Sequence, residues 1–265
     1  MDLQLAGKRA VVTGASRGIG FAVATALAAE GADVVLAARD QAALDDAAAR
    51  ITSSGRVLAV AADTTDDTSV RALIQRAAEA FGGVDILVNA AARPGGGAGM
   101  PGKLAETTDD ALRGEVETKV LGYLRCARAA APYMTAGGWG RIINISGLAA
   151  RQTGSVVGSI RNVAVAAMTK NLADELGPAG VNVTVVHPGM TVTERTPAML
   201  AAFAEANGVD EAEAERRFGS STSIGRIVTA AEVADVVAFL ASPLSVAITG
   251  DAIAVGGGAR GAIHY

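Results

Sequence analysis

The chain of 265 residues is poor in the groups from which many catalytic and redox sites are built, with one cysteine, two histidines, one tryptophan and three tyrosines. A lone thiol, Cys126, excludes an intrachain disulfide, and His187 and His264 are too few to make a metal-ligand cluster, so no metal is expected. Aromatic residues are 3% of the chain while apolar residues are 50%, so the core has to be built from Ala, Val, Leu and Ile. That composition suits buried strands covered by helices. A basic excess is also missing. The net charge of −4 offers no field for phosphate backbones or anionic lipid, and neither nucleic acid nor membrane is an expected partner. No apolar run approaches the roughly 18–20 residues of a membrane span. Residues 1–9 carry Asp2 and lead straight into a strand, leaving no room for a signal h-region, so a soluble protein of the reducing cytoplasm is expected.

What the chain does have is rhythm. Val- and Ile-rich runs near 10–13, 33–37, 57–61, 84–88, 141–146, 181–186 and 251–255 alternate with helical patterns near 18–30, 41–53, 66–81, 106–135, 155–176 and 229–241. Alternating strands and helices predict an α/β fold, one doubly wound parallel sheet (a Rossmann fold) of about seven strands in a single domain over 1–265. Ligands of such sheets bind beyond the carboxyl ends of the strands, where the strand order reverses. Two stretches break the rhythm. Residues 93–102 are too rich in Gly and Pro for a regular element, and 188–224 form a long connection that predicts a substrate lid over 190–224. Met190, Met199, Leu200, Phe203 and Phe218 are expected to line an apolar pocket beneath it.

The first strand runs into Gly14, Ser16, Arg17, Gly18, Ile19 and Gly20, and a helical pattern follows at once. Residues without Cβ let backbone N–H groups approach a pyrophosphate, and the helix N-terminus adds its positive dipole end. The second strand ends in Arg39 rather than in an acid that would accept hydrogen bonds from an adenosine ribose. Arg39, together with Arg17, suits a 2′-phosphate and makes NADP(H) the expected cofactor over NAD. Beyond this turn the chain resembles the short-chain dehydrogenase/reductases over nearly its whole length. The resemblance is carried by residues 13–20, Ala62-Asp63, the run Leu87-Val88-Asn89-Ala90, Asn144-Ile145-Ser146, Pro188-Gly189 with Thr193, and Thr249-Gly250. It implies that Asp63 holds the adenine, that Asn89 and Ala90 line the cofactor, and that Pro188, Gly189, Thr191 and Thr193 meet the nicotinamide carboxamide.

The same resemblance implies a catalytic set of serine, tyrosine, lysine and asparagine, in which tyrosine supplies the proton for a developing alkoxide. Carried onto this chain through the helix that contains Met168, Thr169 and Lys170, the tyrosine position is Gly158 and the lysine position Asn162. No Tyr or Lys occurs from 140 to 169, so a small shift of register does not restore the pair. The serine position falls on Gly147. Its neighbour Ser146 faces the other way on an alternating strand, although its distance from Gly158 resembles the family spacing. On the long helix the family's asparagine lies three residues before a glycine, which here is Gly122 and puts Lys119 in that place. Amine and amide are thus exchanged across one cavity. Lys119 either extends to solvent or enters that cavity to hold an anionic substrate or the ribose. Tyr123 is expected in the core or an interface, His187 is expected to be packed, and His264 and Tyr265 could reach a neighbour's site.

Three functions stay open on these residues. One is an NADP(H)-dependent oxidoreductase on a small carbonyl or alcohol, with an atypical active site. Another is a catalytically degenerate NADP(H)-binding subunit or sensor. The third is a non-redox enzyme using Lys119. Small residues along the two helices of 106–135 and 155–176 further predict a homodimer or homotetramer, as the resemblance also implies.

Overall fold

The computed structural model describes residues 1–92 and 104–260. The glycine-rich stretch at 93–102, His264 and Tyr265 lie outside the described residues. The first half of the chain runs β1 (Arg9–Thr13), α1 (Gly18–Ala29), β2 (Asp33–Ala38), α2 (Gln41–Ala49), β3 (Val57–Ala61), α3 (Asp67–Phe81) and β4 (Ile86–Asn89). The second half runs α4 (Asp109–Glu115), α5 (Gly122–Ala136), β5 (Gly140–Ile145), α6 (Val156–Leu176) and β6 (Val181–Pro188). It closes with β7 (Thr191–Val192), α7 (Thr196–Asn207), α8 (Glu211–Ser220), β8 (Val228–Thr229), α9 (Ala230–Ala241) and β9 (Ala252–Val255).

Successive strand residues point to opposite faces, and here both faces are apolar. Val12, Val34, Val88 and Ile143 pack on one side with Leu27 of α1 and Val237 of α9. Val11, Val35, Leu87 and Ile142 pack on the other with Leu73 of α3 and Cys126 of α5. A sheet buried this way is parallel throughout, in the order β3-β2-β1-β4-β5-β6-β9, as expected from the alternation. The order reverses between β1 and β4, whose last paired residues are Thr13 and Asn89. The only tryptophan in the sequence, Trp139, sits before β5 at the amino edge of the sheet. Lys8 Nζ and the Arg141 guanidinium lie 4.1 and 4.6 Å from its ring centre.

Two elements differ from their sequence readings, each for a local reason. The helix expected to reach residue 53 ends at Ala49, because Ser53 Oγ donates to Ala28 O and Arg56 pairs with Asp33, which turns the chain back alongside β2. The single helix expected over 106–135 begins only at Asp109, where Thr108 Oγ1 accepts from Ala111 N–H, and it is interrupted. Between α4 and α5, residues Val116–Leu121 form one π-helical turn. The connection at 188–224 carries two helices, α7 and α8, which pack on each other through Leu200, Ala204 and Ala214, with the Phe203 and Phe218 rings 4.7 Å apart. Those aromatic residues fill a small core of their own, while Met190 is exposed.

Candidate functional site

The site begins where β1 and β4 end. Thr13 Oγ1 accepts from the N–H groups of Ala90 and Ala91 at 3.1 and 3.2 Å, stitching the two strand ends together. The backbones come so close that a Cβ on Gly14 would lie 2.9 Å from the Ala90 carbonyl carbon, and one on Gly20 would lie 2.3 Å from Gly14 O. Glycine is therefore dictated by contact at both places, and at Gly14 by a φ of +68° as well. Ser16 and Ile19 are half-buried, and Arg17 and Arg39 are exposed on either side of the turn. The Gly18 N–H donates to Glu194 Oε2 at 3.2 Å, so a carboxylate rests on the start of α1.

Asp63, beyond β3, accepts from Thr65 N–H and Thr65 Oγ1 at 2.9 and 2.8 Å. The backbone bond from Thr65 is the main cause that holds its carboxyl below the usual range, and nearby Arg39 adds to it. After β6, Thr191 Oγ1 donates to Gly189 O, and Thr193 N–H donates to Thr196 Oγ1. Pro188, Gly189, Thr191 and Thr193 thus form one braced turn at the carboxyl edge. Behind the edge, buried Asn89 donates to Asn144 Oδ1 at 2.9 Å, and Asn144 Nδ2 to Thr169 Oγ1 at 2.9 Å.

Lys119 lies in the π-helical turn and is 3% exposed. Its ammonium donates to Ser146 O at 2.9 Å and to Asn162 Oδ1 at 3.0 Å, so the lysine enters the cavity and does not extend to solvent. Ser146 Oγ is turned to the same residue, 3.2 Å from both Asn162 O and Oδ1. On the other side of that amide, a Cβ on Gly147 would sit 3.2 Å from Asn162 Nδ2. At Gly158 a Cβ would lie 3.3 Å from the Ser155 side chain, which caps α6. Tyr123 is fully buried and its hydroxyl donates to Ile145 O at 2.9 Å; burial pushes its pKa up, and it belongs to the core. His187 is also buried, at the end of β6.

Desolvation pulls the Lys119 pKa down to about 7, with Arg161 adding to the fall and Glu115 opposing it. The unfolded chain therefore binds one more proton between about pH 7 and its ordinary value of 10.5, and this lysine's contribution to stability is lost as pH falls through that window. Arg161 and Glu115 form an ion pair in which both side chains are about nine-tenths buried. This pair was not read from the sequence. Glu115 stands four residues before Lys119, a visible spacing, but Arg161 lies 46 positions away on another helix. Among the described residues no group of three His, Cys, Asp or Glu is placed to hold a metal, and no helix is long and apolar enough to cross a membrane.

Comparison with known proteins follows the same outline. The family described as "Enoyl-(Acyl carrier protein) reductase" matches residues 14–260. The chain is 37% identical over 251 residues to the short-chain reductase protein NovJ of Streptomyces niveus, covering 94% of this chain and 92% of that protein. It is 33% identical over 268 residues to the 3-oxoacyl-acyl-carrier-protein reductase FabG of Vibrio cholerae, covering 97% and 98%. L-Sorbose reductase from Gluconobacter frateurii, solved with NADPH and L-sorbose, superimposes with a TM-score of 0.91 at 30% identity, covering 99% of this chain and 100% of that one. An actinorhodin polyketide ketoreductase variant with NADPH does so at 0.86 and 32%, covering 94% and 96%.

Because removing one member of a buried ion pair leaves the other charge without compensation, Arg161→Met is expected to cost about 3–5 kcal/mol in urea unfolding. The double variant Glu115→Leu/Arg161→Met is expected to recover most of that loss.

Proposed function

We propose that this chain, which belongs to the short-chain dehydrogenase/reductase family, binds NADP(H) and carries out slow redox chemistry on a small carbonyl or alcohol, with Lys119 as its proton donor and acceptor. The observation that carries the proposal is the buried Lys119 ammonium, held on Asn162 Oδ1 and Ser146 O and lowered to about 7.

The cofactor fits the residues that would hold it. The close approaches at Gly14 and Gly20 keep the turn free of side chains at those two positions, and the Glu194 carboxylate on Gly18 N–H stands in for an anion at the start of α1. Support also comes from relatives at 30–32% identity solved with NADPH. When bound, NADP(H) supplies or accepts a hydride. In this reading the exposed Arg17 and Arg39 hold the 2′-phosphate, Asp63 the adenine, and the braced turn from Pro188 to Thr193 the nicotinamide end. Asn89 and Ala90 complete the floor.

Lys119 matters because neither Gly158 nor Gly147 carries a side chain that could move a proton. A group with a pKa near the working pH populates both forms and serves in both directions. Reduction draws on the ammonium and oxidation on the free amine. Gly147 leaves room for the Asn162 amide, and Asn162 in turn fixes the ammonium, so the three positions act together. Ser146, with its hydroxyl bonded to Asn162, is a positioning residue in this scheme. The reading of a catalytically degenerate NADP(H)-binding subunit rests on the same inward-turned Ser146 and Lys119.

The α6 face bearing Val156, Ile160 and Val163 is 43–49% exposed and apolar at four- and three-residue spacing, which suits pairing with a second copy. Velocity sedimentation at micromolar concentration should then show a dimer or tetramer, and a single monomer boundary contradicts the pairing. NADPH is expected to bind more tightly than NADH in calorimetric titration, and Arg39→Ala to narrow that preference. Equal affinities in the unaltered protein remove the 2′-phosphate argument.

Reductive kcat/KM is expected to fall as pH rises through about 7, because the ammonium is the acid. Lys119→Met should flatten that profile and lower kcat by roughly 10²–10⁴-fold, with NADPH affinity nearly unchanged. Full activity in Lys119→Met excludes the lysine as donor. Carbonyl reduction that appears only in the triple variant Lys119→Asn, Gly158→Tyr, Asn162→Lys favours the non-catalytic reading.

A further inference from the structure

Helix α1 starts without a cap from its own surroundings. Arg17 at its N-cap is extended, no local side chain accepts from the first turn, and that turn contains no acid. The acceptor comes instead from 176 positions away: Glu194 Oε2, exposed on the segment between β7 and α7, takes the Gly18 N–H at 3.2 Å. The approach is broad. A Cβ built on Gly18 would lie 3.7 Å from Thr193 Cγ2 and 3.9 Å from Glu194 Oε1.

We infer that Glu194 is a built-in competitor for the cofactor's pyrophosphate, a latch that ties the root of the α7–α8 pair to the glycine turn until NADP(H) displaces it. The inference rests on the NADP(H) reading given above. Its physical basis is that a helix N-terminus favours one anion, and a carboxylate and a phosphate oxygen cannot share the same N–H at close range without like-charge repulsion. Nothing in the latch is lost when it opens except that contact. Thr193 N–H to Thr196 Oγ1 at 2.8 Å and Thr196 Oγ1 to Thr191 O at 3.4 Å are internal to the segment, so the turn leaves α1 with its own shape intact. Cofactor arrival thereby exchanges the Glu194 contact at the start of α1 for the pyrophosphate, while the pairing of Thr191 and Val192 with Val228 and Thr229 keeps the segment at the carboxyl edge.

The test compares the full chain with Glu194→Gln and Glu194→Ala in calorimetric titrations with NADPH and with adenosine 2′-monophosphate. The latter carries the phosphate assigned to Arg17 and Arg39 but no pyrophosphate. Both variants are expected to bind NADPH about fivefold more tightly, equivalent to about 1 kcal/mol, and adenosine 2′-monophosphate with unaltered affinity. NADPH affinity that is the same or weaker in both variants overturns the latch while leaving the cofactor reading intact. Equal tightening of both ligands also overturns it, because a general change of charge then accounts for the gain. Absence of binding of either ligand to any of the three proteins overturns the cofactor reading, and the latch with it. Matching thermal unfolding of the three proteins establishes that the comparison is between folded chains.

Discussion

The arrangement depends on one constraint: a parallel sheet buried on both faces can place polar chemistry only at its edges. The two faces are filled by Val, Ile, Leu and Ala, so the hydrogen-bonding side chains gather where β1, β4, β5 and β6 end. At the reversal between β1 and β4 the chain departs to opposite faces, and the stitch through Thr13 Oγ1 brings two backbones within van der Waals reach. Only glycine fits at Gly14 and Gly20 within that geometry. Asn89, Asn144 and Thr169 extend the polar line inward and support it from below.

Burying an ammonium at such an edge is costly unless the surroundings compensate. Here two oxygen acceptors and the Glu115 charge offset part of the desolvation, and Arg161 works against them. The π-helical turn bears on this directly. Such turns insert an extra residue into a helix and are frequent at functional sites. In this chain the turn carries Lys119 to Asn162, while Gly122 at the start of α5 lets that helix approach Thr64.

Much of this was legible in the sequence, and the exceptions share a cause. The alternation of periods two and 3.6 located the strands and most helices, because burial on a face is a local pattern. The glycine turn was readable since only glycine tolerates those backbone contacts. Lys119 and Asn162 stood out in the sequence as candidates for one cavity, although only the structure shows that their side chains meet. What escaped was either a subtle change of helical pitch or an interaction between distant positions. The interruption at 116–121 keeps its apolar spacing and so reads as unbroken helix. Arg161 with Glu115, and Glu194 with Gly18, are separated by 46 and 176 residues, and no periodicity links them. The apolar spacing of Phe203 and Phe218 suits a pocket lining as well as a helix–helix contact, and α7 and α8 consume them against each other.

The position of Trp139 sets how this molecule can be observed. It lies before β5, and the strand's six residues carry the chain roughly 20 Å to the carboxyl edge. Flanked by Lys8 and Arg141, the indole is held at the foot of the sheet, far from the glycine turn. Its emission is therefore a reporter of global unfolding and of the electrostatics of that lower rim. A ligand bound at the opposite, carboxyl edge would lie out of contact with the indole, so it would alter that emission only through space.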